Sequence, residues 1–406
     1  MKNILMKLSI LCLSVFTVSA GATAATIPLM MESFSSISPT TIELLMTIPS
    51  LGIILFTPLS NFVADKIGIK NTILTGLFLI LISGIIPALT MNFPLIFISR
   101  IFIGLGTGLI ASFSQSLIVQ LFEGTEQQRM LGLASVFQGL GMFAITYAVG
   151  ILIGSGWQTP YWVYLIALPI LLLAAFYIPN LSKKQPDQNA AQAPFAQTSK
   201  KIDGKIWILA LFAFLFNTTF AFIPTKFATL VMTEGYGTLS DASTLLGIMS
   251  FAMAAGGFLF MVIQKRWHRY SMAIGLAFAG ISYAMLSFSH SLFLSGVAVV
   301  LVGMSVSIFM ASMITLISSF TSMRQVAFST SVAITCANVG TLISPYVTEM
   351  FANVFHNESA TFTYFVGMII FAILFIVATI AGMNFEKIKY HEPQENLLDG
   401  ANAHVK

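Results

Sequence analysis

Long apolar runs separated by short polar breaks constrain this chain more than any other feature of its sequence. A helix that crosses a membrane needs about 20 mostly apolar residues, and twelve such runs can be placed along the 406 residues. Only 8% of the residues are charged and the mean hydropathy is +0.89, unlike a soluble globular domain. Segments of a β-barrel would be shorter and would alternate. The sequence therefore predicts an all-α integral membrane protein with 12 transmembrane helices.

One long polar stretch divides the chain into two parts. Residues 182–204 are rich in Gln, Ala, Lys and Pro, which is typical of a flexible linker between domains. We therefore predict a six-helix bundle at 1–181, a cytoplasmic linker at 182–204, a second six-helix bundle at 205–390 and a tail at 391–406. Beyond the first, the helices are predicted at 42–63, 71–91, 94–120, 129–154, 158–180, 205–230, 242–264, 270–289, 292–319, 327–350 and 360–385.

A weak internal repeat supports two pseudo-symmetric bundles. An offset of 199 residues aligns basic and glycine positions of the two parts: Lys66 with Lys265, Lys70 with Arg269, Gly76 with Gly275 and Gly104 with Gly303. A duplicated six-helix unit would show such a basic turn after the second helix of each copy. The first run, residues 8–31, also resembles a secretory signal. Because its removal would spoil the repeat, we interpret it as the first spanning helix.

The basic residues predict the topology. Of the 19 Lys and Arg, 17 fall in the termini, the linker or connections that share one side of the membrane. By the positive-inside rule that side is cytoplasmic, so we expect a multi-pass protein of the cell membrane with both termini in the cytoplasm. This topology also explains a pI near 9.0 without a nucleic-acid partner. The two exceptions, Arg100 and Lys226, are candidates for function.

A charged turn interrupts the apolar runs between the second and third helices. Asp65, Lys66 and Lys70 lie within six residues, and Gly68 allows a tight bend between them. Such a turn must lie in water, where it can hold a small ion-pair network against the helix ends.

This turn resembles the signature loop of the major facilitator superfamily, whose pattern is Gly, three residues, Asp, basic, any residue, Gly, basic, basic. The corresponding residues here are Asn61, Asp65, Lys66, Gly68, Ile69 and Lys70. Asn61 replaces a glycine and Ile69 replaces a basic residue. The resemblance implies two bundles that rock around a midplane cavity, with the Asp65 turn as a gating loop that latches the closed inner face.

The fourth helix carries Arg100, Gly104 and Gly108 on one face, since they are four residues apart. We interpret the two glycines as sites of close helix packing. Arg100 either reaches the outer interface or faces the central cavity, and a charge inside a bilayer favours the second interpretation. The pattern resembles a fourth-helix motif of proton-coupled members. In the fifth helix, however, Thr146 and Tyr147 stand where antiporters commonly have a Gly-Pro step.

Polar and aromatic residues near mid-helix are candidates for the substrate cavity. They are Arg100, Gln115, Gln138, Tyr147, Asn217, Phe220 and Asn338. Hydrogen bonding between helices is the ordinary role of such polar groups in a membrane. Proton coupling needs a titratable group that is reached from alternating sides, and our candidates for it are Glu43 and Glu349.

Other chemistry finds little support in the sequence. It contains no phosphate-binding loop of the Gly-x-x-x-x-Gly-Lys-Ser/Thr type and no His/Cys cluster with metal-ligand spacing, so we expect no cofactor, no metal and no enzymatic activity. A lipid-modifying membrane enzyme would need clustered acids and histidines at a membrane face, which the sequence lacks.

We interpret the chain as a secondary transporter, acting as a monomer, that exports small amphiphilic or drug-like compounds by proton antiport. An importer or exchanger of organic anions is the alternative, because Arg100 and Lys226 together could hold an anion. A sensor derived from a transporter stays open.

Overall fold

The computed structural model describes residues 2–17, 21–179, 204–321 and 323–384. The described residues before residue 180 form eight α-helices. They are α1 (Lys2–Phe16), α2 (Ile27–Ser33), α3 (Pro39–Thr47), α4 (Pro49–Ile67), α5 (Ile69–Leu89), α6 (Phe93–Leu121), α7 (Gly124–Leu152) and α8 (Ala167–Tyr177). Short 3-10 turns cover Ala24–Thr26, Ile153–Ser155 and Thr159–Ile166.

The described part of the chain after residue 203 contains seven α-helices and a 3-10 turn at His268–Tyr270. The helices are α9 (Gly204–Phe220), α10 (Phe222–Thr233), α11 (Leu239–Trp267), α12 (Ser271–Ser287), α13 (Leu292–Phe320), α14 (Met323–Phe355) and α15 (Ala360–Asn384). None of the described residues forms a strand. The predicted linker lies almost wholly, and the predicted tail wholly, outside the described residues.

Several short helices join into single spans. α3 and α4 meet at Ile48 and Pro49, and α9 and α10 meet at Ala221, close to Pro224. Proline favours such breaks because it cannot donate a backbone hydrogen bond. When α1 is joined with α2, α3 with α4, the 3-10 turn Thr159–Ile166 with α8, and α9 with α10, the described residues form twelve segments.

Hydropathy agrees with membrane insertion. Nine described stretches are long and apolar enough to cross a membrane, and one of them, Leu239–Ser287, holds both α11 and α12. The described part of the first span is too short to qualify alone. α14 is not among the nine. The predicted all-α, twelve-helix class is confirmed.

The two halves repeat the same helix pairs. In the first half α1 packs on α7, α4 on α6 and α5 on α8, and in the second half α9 packs on α14, α11 on α13 and α12 on α15. Each pair in the second half occupies the same place in the order of six spans as its counterpart. The predicted pseudo-symmetry of two six-helix bundles is therefore confirmed.

Close packing in the first half depends on Gly104 of α6. A methyl group placed there would collide with the backbone of Pro49 at the start of α4. At Gly108, one turn further along the same face, a methyl group would lie 3.2 Å from the Thr57 nitrogen. The two glycines let α6 approach α4 closely, as small residues do in membrane helices.

Candidate functional site

The two halves meet at one end of the bundle. There α10 of the second half contacts α2, α3 and the 3-10 turn Ala24–Thr26 of the first half, and α14 contacts α3. We call this end the contact side. The opposite end, which carries Gly68 and the loop between α6 and α7, is called the turn side. The distribution of basic residues predicts that the turn side is cytoplasmic.

The packing of α7 against α11 shows where the halves separate. Gly150, Gly139 and Gly132 lie on one face of α7. A methyl group placed on Gly150 would lie 3.0 Å from the carbonyl oxygen of Ser240 in α11. At Gly139 the corresponding distance, to the Ser250 carbonyl oxygen, is 3.4 Å, and at Gly132 no neighbouring atom lies within 4 Å. The helices therefore touch near the contact side and diverge towards the turn side.

Two hydrogen bonds join the halves in this closed region. The buried Ser243 hydroxyl of α11 donates to the Thr146 carbonyl oxygen of α7 at 2.6 Å. The Thr47 hydroxyl of α3 donates to the Leu342 carbonyl oxygen of α14 at 3.4 Å. Each of these hydrogen bonds joins one half to the other, so both would break when the halves move apart.

An ion pair also crosses between the halves. The Lys226 ammonium of α10 lies 2.6 Å from the Glu43 carboxylate of α3. Glu43 is only 1% exposed and Lys226 is 18% exposed, and Glu43 is the one buried acid among the described residues. Burial of both charges is costly, and removal of one partner leaves the other uncompensated. The pair makes the contact side sensitive to the charge of both residues.

Glu349, the other candidate for proton coupling, lies on α14 near the same place. Its side chain is exposed, and its charge is close enough to Glu43 to act on it electrostatically. Two carboxylates and one ammonium therefore gather where α3, α10 and α14 meet.

Arg100 is fully buried within the first half. Its guanidinium donates to the Thr23 hydroxyl at 3.2 Å and to the Tyr164 hydroxyl at 3.4 Å, and it lies 4.5 Å from the centre of the Tyr161 ring. Its Nε atom has no hydrogen-bond partner. The side chain thus bonds to the first and sixth spans and does not extend to the membrane surface. In this conformation it has no exposure to the space between the halves.

The remaining cavity candidates have mixed surroundings. Gln138 donates to the Thr17 hydroxyl at 3.1 Å and so links α7 with the end of α1. Asn217 and Asn338 each donate to a carbonyl of their own helix, four residues back, and both are half-buried. The other three are Gln115 and Tyr147, which are exposed, and Phe220, which is half-buried.

The charged turn is short and exposed. α4 continues to Ile67, so Asp65 and Lys66 lie in its last turn, and Lys70 lies in the first turn of α5. Gly68 between them has a φ of 87°, a conformation that other residues rarely adopt. The structure thus brings the three charges to one end of the bundle, on the side where the halves diverge.

No metal centre is formed by residues 2–17, 21–179, 204–321 and 323–384, which contain no group of three or more His, Cys, Asp or Glu side chains placed to hold an ion. Cys12 and Cys336 are half-buried free thiols.

Two pseudo-symmetric helical bundles that touch at one end and diverge at the other form the architecture of a secondary transporter with alternating access. The family model for the Major Facilitator Superfamily matches residues 9–237 and again 227–398. The chain therefore belongs to the major facilitator superfamily, and its predicted membership of that family is confirmed.

The curated relatives align with this chain over only part of their own length. YfiU of Bacillus subtilis, described as an uncharacterized MFS-type transporter, is 30% identical over 161 residues, which is 39% of this chain and 30% of that protein. The multidrug efflux pump SdrM of Staphylococcus aureus is 25% identical over 140 residues, 34% of this chain and 30% of that protein. The chain thus aligns with 30% of each relative's length.

Solved structures share the fold over nearly the whole chain. The nucleoside transporter NupG has a TM-score of 0.74 at 14% identity, covering 93% of this chain and 99% of that one. A bacterial homologue of the human lysosomal transporter Spinster, in an inward-facing and unoccupied conformation, has a TM-score of 0.73 at 15% identity, covering 97% and 99%. At these identities the likeness concerns the fold.

Proposed function

We propose that this membrane transporter exports small amphiphilic or drug-like organic compounds in exchange for protons, with Glu43 as the coupling acid. The observation that carries the proposal is the ion pair between Glu43 and Lys226, which joins the two halves where they touch. A coupling acid must change its surroundings when the protein changes conformation. Glu43 meets this requirement because its partner belongs to the other half.

The pair suggests how a proton is exchanged for substrate. Lys226 neutralises Glu43 while the contact side is closed. Opening of that side separates α3 from α10. The Glu43 carboxylate is then neutralised by a proton from the outer solution. Closing brings Lys226 back, and the proton leaves towards the turn side, which opens as the contact side closes, when the pair forms again. A substrate shifts this equilibrium only through different affinities for the two states.

Further features support export of amphiphiles. The cavity candidates Asn217, Asn338 and Phe220 offer amide groups and an aromatic ring, all half-buried, which suits neutral or cationic compounds with an apolar body. The partial match to a multidrug efflux pump points in the same direction. We also propose that the Asp65 turn latches the turn side when the halves close there, and that the monomer, which carries both halves, is the working unit.

Import or exchange of organic anions has less support. An anion site would need Arg100 and Lys226 together. Arg100 is fully buried among first-half side chains, and Lys226 is occupied by Glu43. Such a site would require both groups to be released in another conformation.

The test of the proposal compares two acids in proteoliposomes with an imposed pH gradient. Glu43→Gln should abolish the part of substrate flux that the gradient drives. Substrate binding, and substrate exchange in the absence of a gradient, should persist. Glu349→Gln removes an exposed acid from the same region and is the matched control. Gradient-driven flux that survives Glu43→Gln at the wild-type rate would refute the assignment.

A further inference from the structure

A groove runs along the turn-side end of α11. It has a volume of about 690 Å³ and is lined by Phe258, Met261, Val262, Lys265 and Arg266. The three apolar side chains are 65%, 59% and 62% exposed. Among the described residues, no acidic side chain forms a salt bridge with either basic residue. The groove therefore combines an open apolar wall with two uncompensated positive charges at one end.

The apolar wall continues the face of α11 that packs against α7. Phe258 and Met261 follow Gly247 and Ser250 along this face at helical spacing. Gly247 and Ser250 contact α7, whereas α7 has already diverged at the level of Phe258 and Met261. The wall is open because the halves are apart on the turn side.

The basic end of the groove lies at the level of the membrane interface. Lys265 and Arg266 occupy the last turn of α11, directly after an apolar span. Trp267 follows, is 51% exposed and has the Arg266 guanidinium 5.6 Å from its ring centre. Exposed tryptophan is typical of the boundary between lipid and water. The groove thus extends from lipid head groups into the acyl region.

We propose that this groove binds an anionic phospholipid. Its phosphate lies between Lys265 and Arg266, and one acyl chain lies along Phe258, Met261 and Val262. Basic pockets beside transmembrane helices on the cytoplasmic side bind anionic head groups, because anionic lipids concentrate in that leaflet. The turn side is the predicted cytoplasmic side. The positive charges of the groove therefore lie at the leaflet in which anionic lipids concentrate.

A lipid in this groove has a mechanical consequence. The same face of α11 must meet α7 when the turn side closes, and a bound acyl chain occupies that face. The lipid therefore stabilises the conformation that is open on the turn side and must leave before that side closes. This binding depends neither on the substrate nor on proton coupling.

The experiment measures lipid retention by native mass spectrometry of the full-length protein in detergent. Phosphatidylglycerol and phosphatidylcholine with identical acyl chains are titrated separately, and glycerol phosphate serves as the soluble competitor. The variant carries Lys265→Gln together with Arg266→Gln. The control carries Lys387→Gln together with Lys389→Gln, which removes the same charge from the C-terminal region.

Wild type and control should retain phosphatidylglycerol in preference to phosphatidylcholine. The Lys265 and Arg266 variant should bind it roughly 30-fold more weakly, as expected for the loss of two charges near an anionic head group. Equal retention of the two lipids, or equal weakening in the control, would overturn the proposal. Displacement by glycerol phosphate at lipid-like concentrations would also overturn it, in favour of a free phosphate site. Transport measurements play no part in the result.

Discussion

Replacement of Lys226 by Met should open the contact side of the transporter. The substitution keeps a side chain of similar length and removes its charge, so Glu43 is left buried without a partner. The carboxylate can recover a favourable environment if α3 and α10 separate and water enters between them. The closed contact side therefore becomes the less favourable state.

The size of the effect follows from the burial of the pair. Breaking a buried ion pair by removing one partner costs about 3–5 kcal/mol. Because Lys226 is 18% exposed and the pair is not fully shielded, we take the lower limit, about 3 kcal/mol. This shifts the ratio of closed to open contact sides roughly 100-fold. Glu43→Gln should have a smaller effect, because the remaining lysine can reach water with its long stem.

Distances between spin labels measure this ratio directly. Ser36→Cys and Thr233→Cys place labels on exposed residues of the two halves at the contact side. The native thiols, Cys12 and Cys336, are first replaced by Ser. Wild type should show mainly the short distance, and Lys226→Met should add a longer distance of comparable or greater weight.

A double variant supplies the control. Glu43→Gln combined with Lys226→Met leaves no uncompensated charge, so its distance distribution should return towards wild type. A Lys226→Met distribution equal to that of wild type would show that the ion pair does not hold the contact side closed. An additive effect of the two substitutions would contradict the direct coupling of their charges.

Three further substitutions test the packing and the gating turn. Gly247→Ala should loosen the contact side by about 1–3 kcal/mol through overpacking, because the new methyl would collide with the Thr146 hydroxyl; the label distances above measure this. Gly257→Ala, where no neighbouring atom lies within 4 Å, is its control and should behave as wild type. Gly104→Ala should reduce the amount of folded protein, measured by fluorescence-detected size exclusion, and wild-type yield would contradict the close approach of α6 and α4. Asp65→Asn should slow transport at an unchanged protein level in the membrane, and an unchanged transport rate would exclude the turn as a latch.

Much of the fold could be predicted because bilayer thickness and hydropathy restrict the possible spans so strongly. The positions of most helices follow from apolar length alone. The breaks at Ile48 and Ala221 were missed as boundaries, since hydropathy is insensitive to a local change of direction. The α4 helix also extends past Asp65 to Ile67, because a charged last turn remains helical once it reaches water.

The site was less predictable because its contacts join residues far apart in sequence. The sequence makes Glu43 and Lys226 separate candidates, yet their pairing depends on how the two halves meet, which no local pattern encodes. The partners of Arg100 were missed for a similar reason. Thr23 and Tyr164 are ordinary residues of membrane helices, and only the packing of the first and sixth spans brings them to the guanidinium.

We propose that proton movement drives export, and this is tested by recording proton and substrate flux together in proteoliposomes that contain the wild-type protein. Cationic, neutral and anionic amphiphiles are compared under an imposed pH gradient. Cationic or neutral compounds should move against protons, and addition of substrate should start a proton flow in the opposite direction. Substrate flux that is independent of the gradient and is greatest for anions would contradict proton-driven export.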